Sequence, residues 1–318
     1  MSSSPSISVV IPTYQRPELL RRCLEGLRAQ DLHPDCYEVV VVDDGSGPAT
    51  AEVLQAFGED WHSLTWVSLV ANRGPAAARN KGIELASGDW LLFMDDDIVA
   101  PSSLVRTHIE YHANDDQLVG ILGRVQWHPD LTVTRFMRWL DTVDLQFAYE
   151  SDLVEGRIDR AHRYFYTCNL SLSRDLICQS GGFNEAFPYP ALEDTEMAIR
   201  LCRMGFQLDY RPAAVAWNSR PITLKDFCHR MTLVGESSVI LRALDNDSET
   251  DSDPLPTTES RWRRISRQLL KGVACVAPVG PIPELYYQSE IWQSQIAGIR
   301  KGYARVATWD QSSSAPSI

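Results

Sequence analysis

Apolar and polar positions change period again and again over the first hundred residues. Ser8-Val9-Val10-Ile11 is an apolar run stopped at Pro12. Glu38-Val39-Val40-Val41-Val42 is a continuous β-branched run, the pattern of a strand covered on both faces. Between them, residues 17–29 place Leu19, Leu20, Cys23, Leu24 and Leu27 at helical spacing, with Pro17 suited to a first helical turn. The alternation continues with a helix through Val53, Leu54 and Phe57, a strand over 64–70, a helix over 76–86 and a strand at Trp90-Leu91-Leu92-Phe93-Met94. Repeated β-α-β units with buried strands predict an α/β fold, a mostly parallel sheet flanked by helices.

Ligands of such sheets sit at the carboxyl ends of the strands. The polar clusters fall there: Pro12-Thr13-Tyr14-Gln15-Arg16, Asp43-Asp44-Gly45-Ser46-Gly47 and Asp95-Asp96-Asp97. Beyond Pro101 the pattern loosens. It predicts a helix over 102–112, a strand near 118–125, an irregular aromatic stretch over 127–166, and helices over 174–180 and 194–204. Strands over 207–210 and 213–217 and a long amphipathic helix over 222–244 follow. The chain divides into one domain over 1–242, with halves 1–100 and 101–242. An acidic linker or mobile loop over 243–260, a helical C-terminal extension over 261–310 and a disordered tail over 311–318 complete it.

The 318 residues, 44% apolar and 23% charged, suffice for a large core. A net charge of −12 argues against a nucleic-acid partner, which calls for a basic face. The seven cysteines contain no C-x-x-C pair, so neither a disulfide framework nor a zinc site is expected, and a reducing cytoplasm is the default compartment. The N-terminus has no basic and apolar leader pattern, and the apolar stretch 273–279 contains Pro278 and is far short of about 20 residues. Basic residues from Arg261 to Lys271 leave three roles open for the extension: peripheral contact with an anionic membrane, packing on the domain, or a homodimer interface.

Three adjacent carboxylates repel one another unless a cation binds among them, and Mg²⁺ or Mn²⁺ takes hard oxygen ligands from one or two carboxylates plus phosphate. While extension persists, Asp95 and Asp97 share one side of the strand and Asp96 takes the other. A solvated acidic turn is the plainer alternative. Asp43 and Asp44 offer acceptors for a base or ribose, or simply build a turn. Asn72-Arg73-Gly74 opens a helix that carries Arg79, and a helix N-terminus with a guanidinium suits a pyrophosphate. Glu193-Asp194 reads as an acidic first helical turn, favoured by the helix dipole. His108 and His112 have metal-ligand spacing but no third ligand, and a surface pair is expected.

Residues 8–14 (SVVIPTY), 41–46 (VVDDGS), 72–82 (NRGPAAARNKG) and 88–101 (GDWLLFMDDDIVAP), with 181–185 (GGFNE) and 193–196 (EDTE), together resemble the GT-A fold of family 2 inverting glycosyltransferases over roughly residues 7–240. The resemblance implies metal-assisted transfer from a nucleotide-diphosphate sugar, UDP being the commonest nucleotide, to a hydroxyl of a glycan, glycolipid or small-molecule acceptor. It implies base and ribose contacts from Pro12, Thr13, Tyr14, Arg16, Asp43 or Asp44, and diphosphate contacts around Asn72, Gly74 and Arg79. It further implies a Mg²⁺ or Mn²⁺ ion on Asp95 and Asp97, Asp96 near the donor, and Asp194 as the catalytic base. Trp127, Asn169 and Glu193 are the acceptor-side candidates. Relatives often carry a histidine near 217–219, where this chain has Trp217-Asn218-Ser219 followed by Arg220. A nucleotidyltransferase is the first rival, although the glycine-rich basic loop it needs after the first strand is replaced by Pro12-Thr13-Tyr14-Gln15-Arg16. A nucleotide-sugar-binding relative without turnover is the second, and Asp194 argues against it.

Overall fold

The computed structural model of the chain describes residues 5–143, 145–146, 149, 153–244, 256–258, 267–271 and 281–309. Phe147, Cys275, the apolar stretch 273–279, the tail 311–318 and most of the acidic and basic stretches between 245 and 266 lie outside them. The chain forms two compact units. One comprises Met1–Val133, Val143–Pro188 and Glu193–Pro221, and the other Thr134–Thr142, Tyr189–Leu192 and Ile222–Ile318.

The first unit holds one sheet. Strands β1 (Ile7–Thr13), β2 (Tyr37–Asp43), β3 (Leu64–Ser68) and β4 (Trp90–Met94) run parallel in the order β3-β2-β1-β4. Val9 faces Val39 on one side and Leu92 on the other. Helices α1 (Pro17–Arg28), α2 (Pro48–Gly58) and α3 (Pro75–Leu85) connect these strands, as expected, each with proline in its first turn. Val9, Val10, Ile11, Val39, Val40 and Val41 are fully enclosed, which is why they form an unbroken apolar run in the sequence.

Beyond β4 the sheet becomes mixed. β5 (Ile98–Val99), helix α4 (Leu104–Tyr111), β6 (Val119–Trp127), β7 (Gly156–Arg157) and β8 (Asn169–Ser173) follow in the chain. Helices α6 (Arg174–Ser180) and α7 (Glu193–Arg203) and strand β9 (Gln207–Asn218) complete the unit, while α5 (Arg135–Thr142) belongs to the other. β8 inserts antiparallel between β4 and β6, β9 joins β6 in parallel, and β5 closes the edge on β9. The stretch 127–166, read as irregular, thus contains α5 and β7, and β8 follows directly after it.

The two strands expected over 207–217 are one. Register with β6 slips between Gly123, opposite Arg211, and Arg124, opposite Val215, so Pro212-Ala213-Ala214 bulges out. Proline has no N–H to lose from a ladder, and a bulge accommodates it.

His108 and His112 are not a surface pair. His108 is wholly enclosed, and His112 stacks on Trp90 with ring centroids 3.7 Å apart. His108 Nδ1 and His112 Nε2 each lie 2.7 Å from Ser171 Oγ, and His108 Nε2 lies 2.9 Å from Asn169 Oδ1. Asn169 Nδ2 donates to the Ala214 and Arg124 carbonyls, so its Oδ1 is the acceptor and His108 Nε2 carries the proton. Ser171 then donates to His108 Nδ1 and accepts from His112 Nε2. Burial pushes His108 down to about 4 and His112 down to about 3, so both rings are neutral at pH 7.

The second unit contains α5, the segment Tyr189–Leu192, α8 (Leu224–Leu244) and α9 (Ile282–Trp309). Phe136 packs edge-on against Tyr287 at 5.0 Å and Phe227 at 6.0 Å, and Arg135 donates to Glu284 at 2.7 Å. Among the described residues no helix is long and apolar enough to cross a membrane.

Candidate active site at the carboxyl ends of β1, β2 and β4

Each parallel strand delivers a polar residue at its carboxyl end. Thr13 ends β1 and donates through Oγ1 to Asp96 at 2.7 Å. Asp43 ends β2 and accepts from Ser46 N at 3.0 Å and Ser68 Oγ at 2.9 Å. Asp44 accepts the backbone N–H groups of Arg73 and Gly74, both at 2.8 Å, which ties the β2 end to the start of α3. Gly74 has φ of 90°, and a Cβ there would stand 2.9 Å from the Pro188 carbonyl oxygen, so only glycine fits. The two aspartates proposed for a nucleotide therefore also hold their own loops, and both are buried. Pro12 lies within β1, Tyr14 is 41% exposed beside it, and Asn72 is exposed at the loop before α3.

The aspartate triplet follows β4, and its three side chains diverge. Asp95 is half-buried and accepts from Arg79 Nη2 at 3.1 Å. Asp96, 2% exposed, turns to Thr13 and to Arg16 Nη1 at 3.0 Å. Asp97 lies 3.9 Å from Arg16, and its carbonyl accepts from the Ser219 N–H at 2.9 Å and hydroxyl at 3.0 Å. The end of β9 is thereby fixed against the triplet. Burial, reinforced by Asp95 and Asp96, pushes the Asp97 carboxyl up to about 7 against the pull of Arg16 and Arg220. Asn218, at the position where a histidine was expected, directs its Oδ1 to the Arg220 N–H at 2.9 Å.

Arg79 is 3% exposed and joins two parts of the site. Its Nη1 donates to Glu193 at 2.7 Å while Nη2 holds Asp95. Glu193 opens α7 and is itself buried; burial, with Asp194 adding to it, pushes its carboxyl up to about 7. Glu193 Oε2 and Arg79 Nε have no hydrogen-bond partner among the described residues. Asp194, half-buried beside Glu193, accepts from Thr195 N at 2.7 Å. Asn80 fastens the GGFNE segment, bonding Phe183 N at 2.8 Å and Phe183 O at 2.9 Å.

The structure thus brings Thr13, Arg16, Arg79, Asp95, Asp96, Asp97, Glu193 and Asp194 into one network, with Arg220 within electrostatic range. Trp127 sits at the end of β6, opposite Asn218, half-buried. Asn169 is not brought there: it is fully enclosed, with its amide consumed by His108 and two carbonyls. Ser219 and the bridging geometry of Arg79 were missed. No spacing rule links Arg79 to a glutamate 114 residues on; only the imbalance of charge in the motifs hinted at a buried cation.

Five carboxyl groups (Asp95, Asp96, Asp97, Glu193, Asp194) face three guanidiniums (Arg16, Arg79, Arg220), so full ionisation would leave a negative excess, and the upward shifts of Asp97 and Glu193 reflect it. That surplus, made of hard oxygen donors, fits a divalent cation. Among the described residues no three His, Cys, Asp or Glu side chains converge on one point.

Comparison with known proteins places this arrangement. Glycosyl transferase family 2 matches residues 8–182, more than half of the chain, and the chain belongs to that family of sugar-transferring enzymes. It is 32% identical over 228 residues to validoxylamine A glucosyltransferase of Streptomyces hygroscopicus subsp. limoneus, covering 65% of this chain and 50% of that one. It is 38% identical over 245 residues to the uncharacterized glycosyltransferase YfnE of Bacillus subtilis, covering 64% and 62%. The chain thus spans about half to three fifths of the length of these relatives. Its fold is similar to that of S. aureus TarS (TM-score 0.56, 17% identity, 95% of this chain and 92% of that one). It is also similar to the mannosyltransferase PcManGT of Pyrobaculum calidifontis (TM-score 0.54, 19% identity, 99% and 77%). The architecture is the GT-A fold that the motifs implied.

Proposed function

We propose that this protein transfers a sugar from a nucleotide-diphosphate sugar to an acceptor hydroxyl with inversion, using Asp194 as the base. The observation that carries the reading is the Arg79 bridge, which fastens the aspartate end of β4 to the helix start bearing Asp194. An inverting transfer needs those two groups near one reacting centre, one side steadying the leaving diphosphate and the other taking the acceptor proton. Tyr14 and the β2 loop are the base and ribose side, and Arg16 and Arg220, both near Asp97, are the cations assigned to the diphosphate. Arg79 is occupied by Asp95 and Glu193 and stands behind them.

Asp95 and Asp97 are the residues that would hold Mg²⁺ or Mn²⁺, whose charge would stabilise the leaving diphosphate without a proton donor. PcManGT, a structural neighbour, is described with GDP-Man and Mn²⁺, and TarS with UDP and with UDP-GlcNAc, which supports a nucleotide-sugar donor and a divalent ion here. UDP is the nucleotide we favour. The acceptor side comprises Trp127 and the start of α7, and the acceptor is a glycan, glycolipid or small molecule.

A donor-hydrolysis screen of UDP-, dTDP- and GDP-sugars, with and without Mn²⁺, tests the proposal. Release of nucleotide from one donor, enhanced by Mn²⁺, is the expected result. Failure to bind or hydrolyse any of them would sink it.

A further inference from the structure

Arg79 divides itself unequally between its two partners, and the division leaves a buried atom unsatisfied. Nη1 donates to Glu193 Oε1 at 2.7 Å and Nη2 to Asp95 Oδ1 at 3.1 Å, one bond to each carboxyl group. The Arg79 and Glu193 side chains are each 4% exposed, that of Asp95 38%. Glu193 Oε2 has no partner among the described residues, although a guanidinium and a carboxylate frequently meet in a two-bond fork. A buried oxygen left unpaired carries the full cost of its desolvation.

Nη2 can close that fork only if the guanidinium turns toward Glu193 and gives up Asp95. Its aromatic neighbour does not oppose the turn. The guanidinium carbon stands 5.5 Å from the centroid of the Phe183 ring. Asn80 fixes Phe183 through its N–H and its carbonyl, and Phe93 meets the ring edge-on at 5.4 Å. A ring face attracts a cation without directed bonds, so it serves either orientation. Asp95 follows the end of β4, and Asp194 follows Glu193 in the first turn of α7, within electrostatic range of Arg79. One side chain thus stands between the proposed ion ligand and the proposed base, and all of these residues belong to the first unit.

We infer that Arg79 and Glu193 are positioning residues that couple the ion end of the site to the base. Asp95, once it ligates a divalent ion, loses its hold on Arg79, because two cations on one carboxylate repel each other. Arg79 then closes its fork on Glu193 and fixes the first turn of α7, and with it Asp194. The linkage is reciprocal: a filled donor site orders the base, and an ordered base favours a filled donor site. The inference rests on the reading of Asp95 as an ion ligand and of Asp194 as base, but its test needs no turnover.

Calorimetry first identifies which of UDP, dTDP and GDP binds together with Mn²⁺. Hydrogen exchange on the full chain then compares the wild type, Glu193→Gln and Arg79→Lys, each with and without Mn²⁺ and that nucleotide. The amides of residues 197–200 report the first turn of α7, because they donate to the carbonyls of residues 193–196. In the wild type their exchange is expected to slow about tenfold on addition of Mn²⁺ and nucleotide, the effect of one charge-assisted bond gained. Glutamine keeps the volume and one acceptor oxygen without the charged fork, and lysine has no second donor edge. Both variants should bind Mn²⁺ and nucleotide without slowing these amides. A pair with a fixed structural role would leave residues 197–200 insensitive to Mn²⁺ and nucleotide in the wild type. That result, or equal slowing in the wild type and Glu193→Gln, would overturn the inference while the donor reading stands. If calorimetry detects no nucleotide binding with Mn²⁺, the donor reading fails and the coupling falls with it.

Discussion

Two buried polar clusters in the first unit are built from metal-ligand residue types, and they behave oppositely. On β8, α4 and the cap that follows α4, His108, His112, Asn169 and Ser171 satisfy one another with neutral groups, and the buried bulge carbonyl of Ala214 is satisfied too. At the carboxyl end of β4, the aspartates, Glu193, Asp194 and their arginines form a network that is short of positive charge, with a buried glutamate oxygen lacking a partner. A closed neutral network contributes rigidity. A charged one with a surplus gains from binding a cation, and carboxyls perturbed in this way cluster at functional sites.

The largest effect should come from the charged cluster. Asp194→Asn keeps the shape of α7 but removes the proposed proton acceptor, and transfer is expected to fall about 10²–10⁴-fold. Nucleotide binding, followed by calorimetry, should stay near the wild-type value. Transfer at near wild-type rate would assign the base to another group and erase the contrast with the neutral cluster.

The neutral cluster should show its weight in folding. Asn169→Ala strips the hydrogen bonds from His108, Arg124 O and Ala214 O at once, leaving buried groups unsatisfied at about 1–3 kcal/mol each. Chemical denaturation should report a loss of about 3 kcal/mol or more. The remaining folded protein should keep the wild-type donor KM. A specific loss of acceptor turnover with stability unchanged would return Asn169 to the acceptor side.

A pH series separates the histidines further. Both have folded pKa values below the unfolded value of 6.5, about 4 for His108 and about 3 for His112. The unfolded chain therefore binds protons that the folded chain refuses, and stability falls as pH drops below about 6.5, flattening only near pH 3–4. The slope is on the order of 1.4 kcal/mol per pH unit for each ring. His112→Gln should flatten the acid limb of a urea-midpoint profile, and an unchanged limb would mean that the ring is charged in the fold.

The two clusters also differ in how far the sequence disclosed them. The strands β1, β2 and β4 are enclosed on both faces, so burial wrote itself as apolar runs, and the polar residues interrupting those runs marked the site. β8 reads Asn169-Leu170-Ser171-Leu172-Ser173, alternating as an exposed-face strand would, although every residue is buried. Its polar face is tolerable only because α4 supplies the histidines, a long-range fact that no local pattern carries. The same limit hid the Arg79–Glu193 pair. Asp95, Asp96 and Asp97 were legible as a group, but their divergence to three different partners was set by Thr13, Arg16 and Arg79, on other elements.

The smallest effect runs opposite in sign and sharpens the contrast most. Replacing a member of a satisfied network destabilises, whereas replacing a surplus carboxylate should stabilise. In EDTA, Asp97→Asn removes a buried carboxyl whose ionised form burial, Asp95 and Asp96 disfavour, keeps the side-chain volume and leaves intact the backbone carbonyl that Ser219 grips. Melting followed by calorimetry should then rise by roughly 2–4 °C, the equivalent of about 1 kcal/mol in a domain of this size. With Mn²⁺ and a nucleoside diphosphate present the order should reverse, because the wild type alone gains binding energy from the full carboxylate set. A fall in melting temperature in EDTA would mean that the Asp97 carboxylate is itself a structural partner, and the surplus would then have to be sought at Glu193.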